Sequence, residues 1–134
     1  VKERHAARLR VGGRFARAFL CVFFAYAVMV TFVAGRLNAA ATNVAVSRNT
    51  VDLARGNAAE VVAGLPVVGV ITDTYAVERS VTIERAHRRV YAAKRDYDAD
   101  AARYNNLAST FIGHHAAFWS RSPTSVPYAV TVWR

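Results

Sequence analysis

AFLCVFFAYAVMVTFVAG, residues 18 to 35, runs for eighteen residues without a charge between Arg17 and Arg36. At about 1.5 Å of rise per residue, such a helix is roughly 27 Å long, close to the ~30 Å hydrocarbon thickness of a bilayer. Snorkelling of the flanking arginines supplies the remainder. Phe19, Phe23, Phe24, Tyr26 and Phe32 point in several directions round a helix, so the segment is apolar on every side. A chain of 134 residues has too little else to bury it. The stretch therefore predicts a transmembrane helix. A cleaved signal peptide is the rival, since a basic start, an apolar run and the small residues after Asn38 (Ala39, Ala40, Ala41) satisfy its general pattern.

Charge orients the helix. Residues 1 to 17 carry six basic side chains (Lys2, Arg4, Arg8, Arg10, Arg14 and Arg17) against Glu3, whereas only Arg36, Arg48 and Arg55 follow within twenty residues of the span. The basic side stays cytoplasmic in such an arrangement, which places the remainder of the chain outside. Arg10, Arg14, Arg17 and Arg36 are the flanking charges, and each basic residue near an anionic leaflet contributes about 1 kcal/mol of attraction. The net charge of +9 is concentrated there. With Phe15 as the only aromatic residue among its arginines, the basic segment is expected to meet lipid and no nucleic acid. Cys21 is the one cysteine and lies inside the apolar run, which leaves no disulfide or zinc pair to build.

Beyond Arg36 the residues Asn38 to Asn43 are small and polar, and helical periodicity resumes with Val44, Val46, Val51, Ala54, Ala58, Val61 and Val62. Leu65-Pro66 ends it. The run VVGVITDT, residues 67 to 74, is β-branched but has no strand to pair with, and is expected as a connector packed on helices. From Tyr75 to Phe111, large residues recur every seven positions at Ile83, Val90, Tyr97, Tyr104 and Phe111. Ala86, Ala93, Asp100 and Leu107 stand three positions after the first four of them. That is a heptad with one polar break, and the stripe Ile83, Val90, Tyr97, Tyr104, Leu107, Phe111 is expected to pack on the helix of residues 44 to 63 as an antiparallel pair. Self-association of the same stripe as a coiled coil is the alternative. Gly113 stands where a left-handed helix cap is expected. Residues 114 to 134, with Phe118, Trp119, Tyr128, Trp133, Pro123 and Pro127, are expected to form an irregular aromatic tail.

Two places resemble the bacterial LemA family. The stretch Arg95-Asp96-Tyr97-Asp98-Ala99-Asp100-Ala101-Ala102-Arg103-Tyr104-Asn105-Asn106, running on to Thr110-Phe111, is similar to that family's last long helix, in which two tyrosine-asparagine pairs stand seven residues apart. Arg48-Asn49-Thr50-Val51-Asp52-Leu53-Ala54 resembles its first soluble helix. Asp98 departs from the family's asparagine, and the interval between the motifs is too short for the family's middle helices and Ile-Pro-Asn signature. The resemblance implies a shortened or divergent member: an α-helical, membrane-anchored protein, with a LemA-like region over residues 36 to 113 and no catalytic residue to carry over.

The remaining candidates for chemistry do not assemble. Asp96, Asp98 and Asp100 alternate like a calcium loop but lack its glycine and its bidentate acid. His114 and His115 are adjacent, with no Glu or Cys nearby to complete a metal site. No serine carries nucleophile-elbow glycines. The expectation is an all-α chain with one N-terminal transmembrane helix, an antiparallel helix pair and an irregular tail. It is expected to be no enzyme and to take no cofactor, metal or small-molecule substrate. It would serve as a membrane-tethered scaffold acting through protein contacts; the alternatives are an exported protein with a cleaved leader and an accessory subunit of a larger membrane complex.

Overall fold

A computed structural model of the chain describes residues 2–65 and 73–134, with side chains over 11–65 and 74–134. It is all-α, with four helices among the described residues: α1 (Lys2–Gly64), α2 (Asp73–Ala108), α3 (Phe111–Ser120) and α4 (Ala129–Val132). The connector expected over residues 67 to 74 lies outside the described residues, except that Asp73 and Thr74 already belong to α2.

The apolar span and the first soluble helix, expected as two segments, are one helix. The link Asn38-Ala39-Ala40-Ala41-Thr42-Asn43 is polar but contains neither proline nor glycine, and alanine is the best helix former. Its hydroxyl satisfies itself locally, Thr42 Oγ1 donating to the Asn38 carbonyl at 3.0 Å, as Thr31 does to Ala27 within the span at 2.8 Å. A stripe on α1 then runs unbroken through both parts. Val30, Leu37, Val44 and Val51 are all buried, seven residues apart.

This stripe meets α2 as an antiparallel pair. Ser47 on α1 faces Asp100 on α2, and Ala58 with Val61 lies across from Ala86 and Arg89. The core between them holds Leu37, Val44 and Val51 against Ala93, Tyr97, Ala101, Tyr104 and Ala108. Large residues on one helix meet alanines or tyrosines on the other, which lets the backbones approach and leaves the phenol rings to fill the space. The polar break in the α2 heptad has its partner here, because Ser47 Oγ donates a hydrogen bond to the Asp100 carboxylate.

Two expectations change at the end of α2. The helix stops at Ala108, where Gly113 had been expected to cap it. Thr110 takes an extended conformation, and its hydroxyl accepts the Gly113 N–H at 3.0 Å as the N-cap of α3 while donating to the Leu107 carbonyl at 2.7 Å. Gly113 sits inside α3 with no positive φ. It is needed for close approach, since a Cβ there would fall 1.8 Å from the Leu107 carbonyl oxygen. Phe111 consequently leaves the packing stripe and begins α3 with its ring exposed.

The segment expected to be irregular therefore carries most of α3 and all of α4. Arg121, at φ 53°, provides the left-handed residue that ends α3. The Ser122 N–H reaches the Ala117 carbonyl at 2.9 Å and the Arg121 N–H that of Phe118 at 3.3 Å, a Schellman pair. A side chain in this conformation costs about 1–2 kcal/mol relative to glycine, partly offset by the ~0.5–1 kcal/mol of extra freedom glycine loses on folding. Arg121→Gly is thus expected to raise the thermal midpoint, by a stabilisation of up to about 1 kcal/mol. Circular dichroism melting of the two proteins in the same detergent checks it.

Candidate functional site: a tyrosine clasp beside an apolar flank

Two features of the molecule have chemistry beyond simple packing. The first is built on α2. Its heptad tyrosines are each followed by a short polar residue, Tyr97 by Asp98 and Tyr104 by Asn105. A tyrosine on the buried stripe puts its neighbour about 100° round the helix, at the edge of the interface. Both members of each pair grip the backbone of the returning tail.

The Tyr97 hydroxyl donates to the Pro127 carbonyl at 2.7 Å, and Asp98 Oδ1 accepts the Ala129 N–H at 2.7 Å. One heptad on, the Tyr104 hydroxyl donates to the Pro123 carbonyl, and the Asn105 amide pairs with Val126 twice, accepting its N–H at 2.7 Å and donating to its carbonyl at 2.9 Å. Trp133 closes the grip: its ring meets Tyr97 edge-on, with centroids 4.8 Å apart, and Nε1–H donates to Asp52 on α1 at 2.8 Å. The tail is thereby stitched to both long helices. Tyr97 and Tyr104 are fully buried, Ile83, Val90 and Leu107 are half-buried, and Phe111 stands outside.

Burial raises the pKa of both phenols. At Tyr97 the Asp98 charge adds to the rise and Arg48 opposes it; at Tyr104 burial acts alone. A raised folded-state pKa means that the unfolded chain loses these protons first. The contribution to stability is therefore whole below the unfolded value of about 10 and is lost as pH climbs through the raised folded values. A phenolate also cannot donate to Pro127 or Pro123. The tail is expected to come off the helix pair only at alkaline pH above about 10, with no effect of these groups near neutrality. Trp133 fluorescence followed alongside tyrosinate absorbance checks this; tail release at pH 6 to 8 would refute it.

The second feature is the flank of α1. Every described side chain from Val11 to Ala25 is exposed, and Val28, Met29 and Phe32 continue the surface. Among the described residues, this is the one helix long and apolar enough to cross a membrane, and it lies near the N-terminus. Arg14 and Arg17 stand exposed before the uncharged run and Arg36 exposed after it, while the side chain of Arg10 lies outside the described residues. Cover by protein begins only at Tyr26. Its hydroxyl meets His115 Nδ1 at 2.6 Å, and the two rings pack edge-on beside a shallow depression of about 340 Å³ lined by Tyr26, His114, His115, Phe118 and Trp119.

The three alternating aspartates go separate ways. Asp98 holds the tail, Asp100 meets Ser47 and Arg103, and Asp96 is exposed. No group of three His, Cys, Asp or Glu side chains converges among the described residues. Sequence reasoning misses the roles of three residues, Asp98, Asn105 and Asp52, and of the Tyr26–His115 pair. The first two had a signal, the polar residue that follows each heptad tyrosine; the others are contacts between residues far apart in the chain.

Fold and surface define an all-α chain with a membrane-length helix built into its helix pair. Comparison with family models, with characterised proteins and with solved structures found no match to it.

Proposed function

We propose that the chain is a single-pass, membrane-anchored helical scaffold of LemA-like type, with its basic N-terminal side cytoplasmic, acting through protein contacts and carrying no catalytic activity. The observation that carries the proposal is the shared helix: the exposed apolar flank from Ala18 to Phe32 and the buried stripe Val30, Leu37, Val44, Val51 belong to one α1. An anchor continuous with its domain holds that domain at a set height and orientation, which suits a scaffold. The LemA likeness rests on the sequence motifs, and in this chain their pairs Tyr97-Asp98 and Tyr104-Asn105 act as two equivalent grips on the tail. Asp98 in place of asparagine keeps the acceptor that the Ala129 N–H uses.

A cleaved leader fits less well. Cleavage near Ala41 would remove Val30 and Leu37 from the buried stripe and the Tyr26 partner from His115. Self-association through the tyrosine stripe and an accessory subunit that leaves it unpaired are also less favoured, since Tyr97 and Tyr104 are used within the chain. Contacts to a protein partner then fall on outward residues such as Val46, Leu53 and Tyr91. Fractionation of an epitope-tagged chain tests the anchor: full-length protein is expected in the pellet after high-salt and carbonate washes. A shorter, soluble, exported form would overturn it.

A further inference from the structure

The apolar surface of the molecule does not end with α1. Tyr26 lies ten positions before Arg36, about 15 Å along the helix axis and near the middle of the uncharged run. Yet α3 reaches down to it, His115 meeting the Tyr26 hydroxyl at 2.6 Å. A phenol at that depth is costly to leave unpaired in hydrocarbon, and His115 supplies its partner. Whatever depth Tyr26 has, the middle of α3 shares it.

The composition of α3 agrees. FIGHHAAFWS contains no lysine, arginine, aspartate or glutamate, although one residue in five of the whole chain is charged. Its small residues Gly113, Ala116 and Ala117 are buried against the rest of the chain. Its large ones face outward, with Phe111 and Phe118 each 73% exposed and Trp119 68% exposed. In water this arrangement is inverted. Against lipid it is the expected one, with small residues at the helix contact and large apolar residues turned to the acyl chains.

We infer that α3 is a lipid-facing element, buried in the leaflet beside the uncharged run of α1, so that the domain sits partly sunk in the membrane with no stalk between them. The inference rests on the anchor reading and extends it from α1 to α3. Its occupant is the bilayer, argued from the continuity of Phe111, Phe118 and Trp119 with the exposed flank of α1 through the Tyr26–His115 contact. Arg121 directly follows the helix, and its long side chain can return to the phosphates.

The test uses the full chain with Cys21→Ser, reconstituted in phosphatidylcholine vesicles, carrying one nitroxide label at a time. The labels replace Phe118 or Phe111 on α3, Phe24 in the span and Arg85 on α2, all exposed positions where a label disturbs no core. Accessibility to oxygen against a water-soluble nickel complex reads depth. The expected result is that Phe24, Phe118 and Phe111 labels share an oxygen-to-nickel ratio several-fold above that of the Arg85 label. A lipid-like ratio at Phe24 with a water-like ratio at both Phe118 and Phe111 overturns the inference and leaves the anchor standing. A water-like ratio at Phe24 overturns both.

Discussion

Replacing Tyr104 by alanine is expected to cost about 3–5 kcal/mol, the range for deleting a fully buried aromatic side chain. Small domains have about 5–15 kcal/mol in total, so the variant should be unfolded or partly unfolded at moderate temperature. The cost has two sources. The ring of Tyr104 lies in the core beside Tyr97, Ala101 and the α1 valines, and alanine leaves a cavity there. Its hydroxyl also holds the Pro123 carbonyl, the first of the tail contacts. Tyr104→Phe separates the two, because it keeps the ring and loses one hydrogen bond, and it should cost only about 1 kcal/mol. Denaturant unfolding of the three proteins in one detergent gives the numbers. Equal losses for Ala and Phe would show that the hydroxyl, and not the packing of the ring, carries the effect.

The second large effect is expected at Gly113. Alanine there sets a methyl carbon 1.8 Å from the Leu107 carbonyl oxygen and 2.6 Å from Thr110 Oγ1. The first of these is backbone of α2 and cannot swing aside. Relief requires α3 to move off the end of α2, with loss of the Thr110 cap and of the Tyr26–His115 contact. A loss of about 3 kcal/mol is expected, at the upper end for overpacking a tight site. Gly56, which has open space about its Cα on the exposed side of α1, is the control: Gly56→Ala should stabilise the helix by up to about 1 kcal/mol. Thermal melting of both variants decides the point, and a Gly113→Ala protein as stable as Gly56→Ala would rule out the tight junction.

These two sites show what could be read from the chain and what could not. The helix pair was legible because Ile83, Val90, Tyr97 and Tyr104 keep a seven-residue period against a charged background. On α1 the same period was half hidden. Val44 and Val51 stood out among polar neighbours, whereas Val30 lies in a run apolar on every side, where periodicity carries no information. The missing break at residues 38 to 43 has a related cause: small polar residues suggest a loop by composition, but alanine, threonine and asparagine without glycine or proline allow a helix that packing can hold. The end of α2 was misplaced because Gly113 suits a left-handed cap and a close approach equally well. Only the position of the Leu107 carbonyl separates the two. Arg121, which does take the left-handed conformation, carries no sequence signal for it. Of the clasp, the polar residue after each heptad tyrosine is a legible signal, but its partners are not, since side chain to backbone bonds depend on where the tail returns.

The most direct test of the account is amide hydrogen exchange along α1, measured on the full chain in phospholipid vesicles. If anchor and domain are one helix, protection should run without a gap from Ala18 to Val51, through the segment Asn38 to Asn43 that joins span to helix pair. Rapid exchange confined to residues 38 to 43 would mean that a hinge separates anchor from domain, and the rigid membrane scaffold described above would be contradicted.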